Sequence, residues 1–294
     1  MENTPEIVVN TKYHNKLSMI LEGLDPRYCH YYEFLKAADI GINCGYCAIQ
    51  QHGTSTVVRT ASRAQQTGEP AWVIAPIFRR CNQTLEQYMT LLDKKITPLK
   101  DTYQIWDNVV GLYFELPMGV EGFTGEDLLD MTRVFAETYG KRIFVNFTPE
   151  QILNPAFTKE QAAFITDAYV KCNKYEFGKA LNEEIDGKTF EKAEDIYSYF
   201  ADKMKALIPD ARVWYNPFAE VNAGEQAAIA SLEGFKKLLL KEENPGGLYI
   251  DGYKSYIDRD KLDWLIDAEN PGRWNKYIDV AKKVCSELRA IDIK

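Results

Sequence analysis

The chain has 294 residues, a net charge of −8, an apolar share of 46% and a charged share of 27%, the profile of a folded soluble protein with room for one large α/β domain, for which a barrel takes about 250 residues. The acidic balance excludes nucleic acid as a partner, because phosphate binding needs clustered Lys and Arg. No apolar run approaches the roughly 20 residues of a membrane span, so no membrane partner is expected.

Residues 1–10 are polar and acidic, unlike a signal peptide, and residues 1–15 read as an extension ahead of a single domain over 16–294. The six cysteines, Cys29, Cys44, Cys47, Cys81, Cys172 and Cys285, are scattered rather than framed, which suits a reducing compartment. The expectation is a cytoplasmic protein, or a secreted one if a leader has been removed.

In chain order, short β-prone runs alternate with amphipathic stretches. A first strand is predicted over 17–24, a helix over 27–38 and a second strand over 42–50. A helix over 54–66 stops at Thr67-Gly68-Glu69-Pro70, where glycine and proline end it, and residues 71–78 form a third strand. A helix over 84–95 leads to the fourth strand, 109–116. The next helix, 124–139, opens on Thr124-Gly125-Glu126-Asp127, a capping hydroxyl followed by first-turn acids. Gly140 closes it, and a fifth strand runs over 142–148.

The pattern blurs over 159–207, where helices are predicted at 159–172 and 190–207, with a short sixth strand at 174–178 and an insertion over 183–192. A seventh strand follows over 211–218, then a helix over 224–241. Asn244-Pro245-Gly246-Gly247 reads as a turn into an eighth strand, 248–253, and a helix over 273–289 ends the pattern. Crossovers that are too long for hairpins and mostly helical imply parallel pairing. The predicted fold is α/β, a (β/α)8 TIM barrel in one domain.

Cys44 and Cys47 form a C-x-x-C inside a strand-like run, where residues three apart point to opposite faces. Redox motifs open a helix instead, and a zinc site needs a second pair, so core packing is the reading. With only His14, His30 and His52, a histidine-rich metal site is not expected, nor is any cofactor. Lys179 is the one lysine placed for Schiff-base chemistry, and Gly246-Gly247 sit at the wrong end of their strand for a phosphate loop.

Polar residues recur on one face of the strands, toward their carboxyl ends. The first strand aligns Ser18, Ile20 and Glu22; the second ends at Gln50, with His52 just beyond; Arg79-Arg80 follow the third and could bind an anionic group. The fourth puts Val109, Gly111, Tyr113 and Glu115 opposite Leu112, Phe114 and Leu116. The fifth aligns Arg142, Phe144 and Asn146, the seventh Arg212, Trp214 and Asn216, and the eighth Tyr249, Asp251 and Tyr253. Parallel strands are usually apolar on both faces, so these polar ends point to a solvated mouth, where such barrels keep their chemistry. Glu115, flanked by Phe114, Leu116 and Pro117, is expected to be a half-buried carboxyl suited to proton donation.

Eight βα units, a glutamate ending the fourth strand, an acid just after the seventh in Asn216-Pro217-Phe218-Ala219-Glu220, and aromatic-rich strand ends resemble the (β/α)8-barrel glycoside hydrolases. The resemblance spans nearly the whole chain as architecture only. Phe114, not asparagine, precedes Glu115, and there is no Asp-x-x-Asp-x-Asp-x-Glu run, so no specific family is implied.

The resemblance implies Glu115 as acid/base and Glu220 as nucleophile or base, with Asp251 as the substitute for Glu220. Glycoside cleavage needs one carboxylic acid to protonate the leaving oxygen and one carboxylate to attack or to activate water. Glu22, Gln50, His52, Arg79, Tyr113, Asn146, Trp214, Asn216, Tyr249 and Tyr253 are the expected substrate-binding residues, aromatic faces stacking on sugars and amides bonding hydroxyls. Core filling is the competing role for each aromatic. The competing class for the whole chain is a barrel that binds carbohydrate or another partner without cleaving it.

Overall fold

The computed structural model describes residues 17–21, 71–74, 84–102, 104, 106–115, 124–172, 180–218, 224–250 and 275–292. The strands expected at 42–50 and 174–178, the helices at 27–38 and 54–66, and Cys44 and Cys47 lie outside them. In chain order the strands are β1 (Ser18–Leu21), β2 (Ala71–Ile74), β3 (Val109–Glu115), β4 (Arg142–Phe147), β5 (Asp167–Val170), β6 (Ala180–Ile185), β7 (Lys188–Lys192), β8 (Arg212–Tyr215) and β9 (Pro245–Ile250). The helices are α1 (Leu85–Asp101), α2 (Gly125–Tyr139), α3 (Pro149–Leu153), α4 (Ala193–Leu207), α5 (Glu225–Leu239) and α6 (Asn275–Arg289).

Seven strands form one parallel sheet in the order β2-β3-β4-β5-β8-β9-β1. This is the order of the chain itself, except that the first strand lies beside the last: Ser18 pairs with Gly247 and Leu21 with Ile250. A singly wound parallel sheet that curls its first strand round to its last follows barrel topology.

Alternation decides which side chains meet the helices. Leu112 and Phe114 of β3, Ile143 and Val145 of β4, Ala168 of β5, Val213 and Tyr215 of β8 and Leu248 and Ile250 of β9 join one buried cluster with Leu128, Phe135, Phe200, Leu232, Phe235 and Tyr277 from the helices. Phe114 meets Phe135 at 4.7 Å between ring centroids, and Tyr215 meets Phe235 at 5.7 Å. Thr84, Thr124 and Thr148 each close a capping box on α1, α2 and α3, so the orphan amides of those helix starts are satisfied locally. Gly140 ends α2 with φ 59°, the left-handed cap that favours glycine.

Three elements differ from expectation. Residues 159–172 are not a helix: a capping pair between Thr158 and Gln161 opens only a turn, and β5 follows at Asp167–Val170. This strand occupies the sixth place of the sheet, between β4 and β8, that was assigned to residues 174–178. The helix expected from 190 begins at Ala193, because Phe190 belongs to an antiparallel hairpin, β6–β7, turning at Asp186 (φ 52°) and Gly187 (φ 71°). The hairpin packs on α4, with Phe190 against Tyr199 at 5.2 Å, Tyr199 Oη donating to Asp186, and Lys203 Nζ donating to Asp186 at 3.0 Å.

Gly246 and Gly247 are the third difference, because they lie inside β9 rather than in a turn before it. The ladder slips between Val213 and Trp214, whose partners are Pro245 and Gly247, so Gly246 is the extra residue of a bulge. A Cβ on Gly246 would lie 2.1 Å from Nε1 of Trp214. The indole thus takes the space that any larger residue needs, which is why a strand interior tolerates glycine here.

One buried amine has a consequence for pH. Lys141, 5% exposed, donates from Nζ to the Trp106 carbonyl at 2.7 Å and lies 4.8 Å from the centre of the Trp106 ring. Burial lowers its pKa to about 8, Lys100 adding to the fall and Asp107 opposing it.

Replacing Gly246 with alanine is expected to cost about 2 kcal/mol in chemical denaturation, since the indole must shift; an unchanged midpoint would contradict the close approach. For Lys141, the folded pKa lies below the ordinary 10.5, so between the two values the unfolded state holds a proton that the folded state has released. Stability contributed by this group therefore rises as pH climbs from about 8 toward 10.5. The melting temperature of the wild type minus that of Lys141→Met should increase from pH 7 to pH 10.

Candidate active site

On the inner face of the sheet the side chains stack in layers from the amino to the carboxyl ends of the strands. The lowest layer is ionic. Asp167, fully buried at the start of β5, accepts from Arg142 of β4 (Nε to Oδ2 2.8 Å, with Nη2 on Oδ1), from the Trp214 indole of β8 (2.8 Å) and from the Thr166 hydroxyl (2.7 Å). Both carboxylate oxygens are thereby paired, the condition for burying such a charge. Arg212 lies beside this group; burial and then Arg142 push its pKa down to about 10, while Asp167 opposes the fall.

Above it lies an aromatic layer of Tyr113, Phe144, Tyr169, Trp214 and Tyr249. Phe144 packs on Trp214 at 4.7 Å. Tyr113 and Tyr169 both stack on Tyr249, at 5.0 and 5.2 Å, and their hydroxyls meet at 3.0 Å. Tyr113, Trp214 and Tyr249, expected to hold a sugar, are each at most 1% exposed. In the described structure Tyr113 stacks on Tyr249 and Trp214 packs on Phe144, as the packed floor of the strand ends.

The uppermost layer carries the polar strand ends. Glu115 is the last residue of β3 and pairs in register with Asn146 of β4, which pairs in turn with Tyr169 of β5. Asn146 is half-buried, and its Oδ1 is buried with no hydrogen-bond partner among the described residues. Asn216, just past β8 and 3% exposed, donates from Nδ2 to the Tyr249 carbonyl at 2.5 Å, while its Oδ1 also has no partner among the described residues. Two buried amide acceptors at one end of the sheet call for donors.

Two further residues belong to this end, and the sequence pattern hides both because their strand reads as a helix. Tyr169 and Lys171 alternate with Ala168 and Val170. The Lys171 amide donates to the Phe147 carbonyl at 2.7 Å, which continues the parallel ladder and keeps Lys171, half-buried, in phase with Asp167 and Tyr169. Asp-x-Tyr-x-Lys against Ala-x-Val-x-Cys, at 167–172, is the alternation that would have revealed them.

Helix α5 is joined to the segment just past β8 and to α6. Phe218 donates its amide to the Ser231 hydroxyl of α5 at 3.2 Å. Glu225, opening α5, accepts from the Tyr277 amide in the first turn of α6 at 3.0 Å. Glu22, Gln50, His52, Arg79, Glu220, Asp251 and Tyr253, expected around the same mouth, lie outside the described residues, as does Lys179. Among the described residues there is no cluster of three His, Cys, Asp or Glu fit to hold a metal ion, and no helix long and apolar enough to cross a membrane.

No protein-family profile and no curated protein matches the sequence. Solved structures do match in fold. A chitinase active domain from Pyrococcus furiosus aligns with a TM-score of 0.56 at 13% identity, over 93% of this chain and 96% of that one. A chitinase from Bacteroides thetaiotaomicron aligns at 0.55 and 8% identity, over 92% and 96%. A broad-specificity GH5-4 endoglucanase from Bacteroides salanitronis aligns at 0.53 and 13% identity, over 94% and 98%. At such identities the likeness is one of fold: the curled parallel α/β sheet of this chain is shared with TIM-barrel-like glycoside hydrolase structures, and its sequence marks no particular family.

Proposed function

We propose that the chain is a glycoside hydrolase-like enzyme that cleaves a glycosidic bond with two carboxylates at the carboxyl-end mouth of an eight-stranded barrel, in which residues 42–50 supply the strand between β1 and β2. The observation that carries this reading is the position of Glu115. It ends a strand of the parallel sheet, in register with an asparagine whose amide oxygen is buried without a partner among the described residues, in a fold shared with chitinase and endoglucanase structures.

In this reading Glu115 protonates the leaving oxygen, and Glu220 attacks the sugar or activates water, with Asp251 as its substitute. Asn146 and Asn216 accept from sugar hydroxyls, the packed layer of Tyr113, Trp214 and Tyr249 supports them from below, and Glu22, Gln50, His52, Arg79 and Tyr253 complete the mouth. The reaction draws on side-chain carboxyls alone and asks for no cofactor. Chitin- and cellulose-derived oligosaccharides are the substrate class to begin with, by analogy with the neighbours in fold.

Chromogenic chito- and cello-oligosaccharides test the proposal. Glu115→Gln should lower kcat/KM by about 10²–10⁴-fold, the usual share of a general acid, with the melting temperature unchanged. Undiminished turnover in that variant ends the assignment. Binding of an oligosaccharide by the wild type without any turnover would favour the second class, a carbohydrate-binding barrel with no catalysis.

A further inference from the structure

Two ammonium groups close on one indole at the amino end of the sheet, away from the mouth. Lys100, in the last turn of α1, holds Nζ 5.2 Å from the centre of the Trp106 ring, and Lys141, just ahead of β4, holds Nζ 4.8 Å from it. Lys100 Nζ also lies 5.3 Å from the centre of the Tyr139 ring, the last residue of α2. Ring faces attract cations, but they bring no net charge to set against two of them. Like charges so near disfavour each other. Burial lowers the pKa of Lys141, Asp107 opposes the fall and Lys100 adds to it.

Neither lysine has a carboxylate partner among the described residues. Lys141 gives one proton to the Trp106 carbonyl at 2.7 Å. Asp107, which acts on Lys141, and Asp93, which acts on Tyr139, are both exposed and pair with neither ammonium. The carbonyl end of α1 explains a cation at Lys100; it does not explain a second one beside it.

A third donor stands in the same place. The Tyr139 ring is held by Phe135 and by Trp106, each at 6.1 Å between centroids. The residue is 5% exposed, and its hydroxyl is buried with no hydrogen-bond partner among the described residues. Burial raises its pKa and Asp93 adds to the rise, so the phenol keeps its proton. A buried donor without an acceptor is costly. Lys100 and Trp106 are only half-buried, which leaves the cluster a side toward solvent.

We propose that Lys100, Lys141 and Tyr139 form a binding site for a small oxyanion of the phosphate class, at the amino ends of β3 and β4. Lys141 keeps two protons after the Trp106 carbonyl has taken one, Lys100 has three and Tyr139 one. A tetrahedral anion offers acceptors to all three groups and the negative charge that the two ammoniums lack. The site is independent of Glu115 and of any glycosidic chemistry. On a barrel, this end of the strands serves stability rather than catalysis, so the occupant strengthens the folded state by binding to it.

The full chain, labelled with 13C at the lysine ε-carbons, is titrated with base in chloride, in inorganic phosphate and in a hexose phosphate at equal ionic strength. The lysine signal with a midpoint of about 8 is that of Lys141, and its loss in Lys141→Met checks the assignment. Saturating phosphate should raise this midpoint by about one pH unit, as an anion set beside an ammonium does. Lys100→Met should weaken the phosphate response about tenfold in concentration, and Tyr139→Phe, which keeps the ring, should weaken it by less. A response to the free ion alone identifies an inorganic ligand, and one to the hexose phosphate as well identifies an esterified one. The same midpoint in all three solutions, or wild-type phosphate affinity in Lys100→Met, overturns the site.

Discussion

The carboxylate of Asp167 is the interaction on which the inner face is built. It is fully buried, yet it binds Arg142 on one neighbouring strand and the indole of Trp214 on the other. Removing one member of such a pair strands an ion inside the protein, a loss of about 3–5 kcal/mol. The same contact sets the indole over Gly246, which makes glycine necessary at the bulge of β9. It also seats Trp214 against Phe144, the ring that holds Tyr113 and Tyr169 in place. A charge at the amino end of the sheet thus governs the order of the aromatic layer directly above it.

Strands such as β3, β4, β8 and β9 are legible because period-two alternation is local: Leu112 and Phe114 must face helices if Tyr113 faces inward. Helix limits at Thr124 and Gly140 are legible for the same reason, since caps act within one turn. β5 is not, because the Thr158–Gln161 pair announces a helix start and the buried residues Ala162, Ile165, Ala168 and Cys172 recur at spacings of three and four. Only the ladder with Phe147 and Arg212, far away in the chain, makes the segment extended. The glycines of β9 mislead similarly, because the indole that requires Gly246 comes from another strand.

The site is legible in part, with the same division. The placement of Glu115, Asn146 and Asn216 at strand ends follows from alternation. Whether an inward aromatic awaits a sugar or fills the interior is set by what stands across the sheet, and alternation is silent on that. Tyr113 meets Tyr249 and Trp214 meets Phe144 because distant strands curl toward one another. Tyr169 and Lys171 are hidden along with their strand, although Tyr169 stands level with Glu115 across Asn146.

The pairing of β1 with β9 bears on how the molecule assembles. Strand Ser18–Leu21 leaves the ribosome early, but one of its edges finds its partner only when Pro245–Ile250 has been made. Until then the edges of the growing sheet stay open to wrong neighbours, the hazard of slow, non-local parallel topologies. The β1–β9 pair accordingly cannot form until residue 250 has been made.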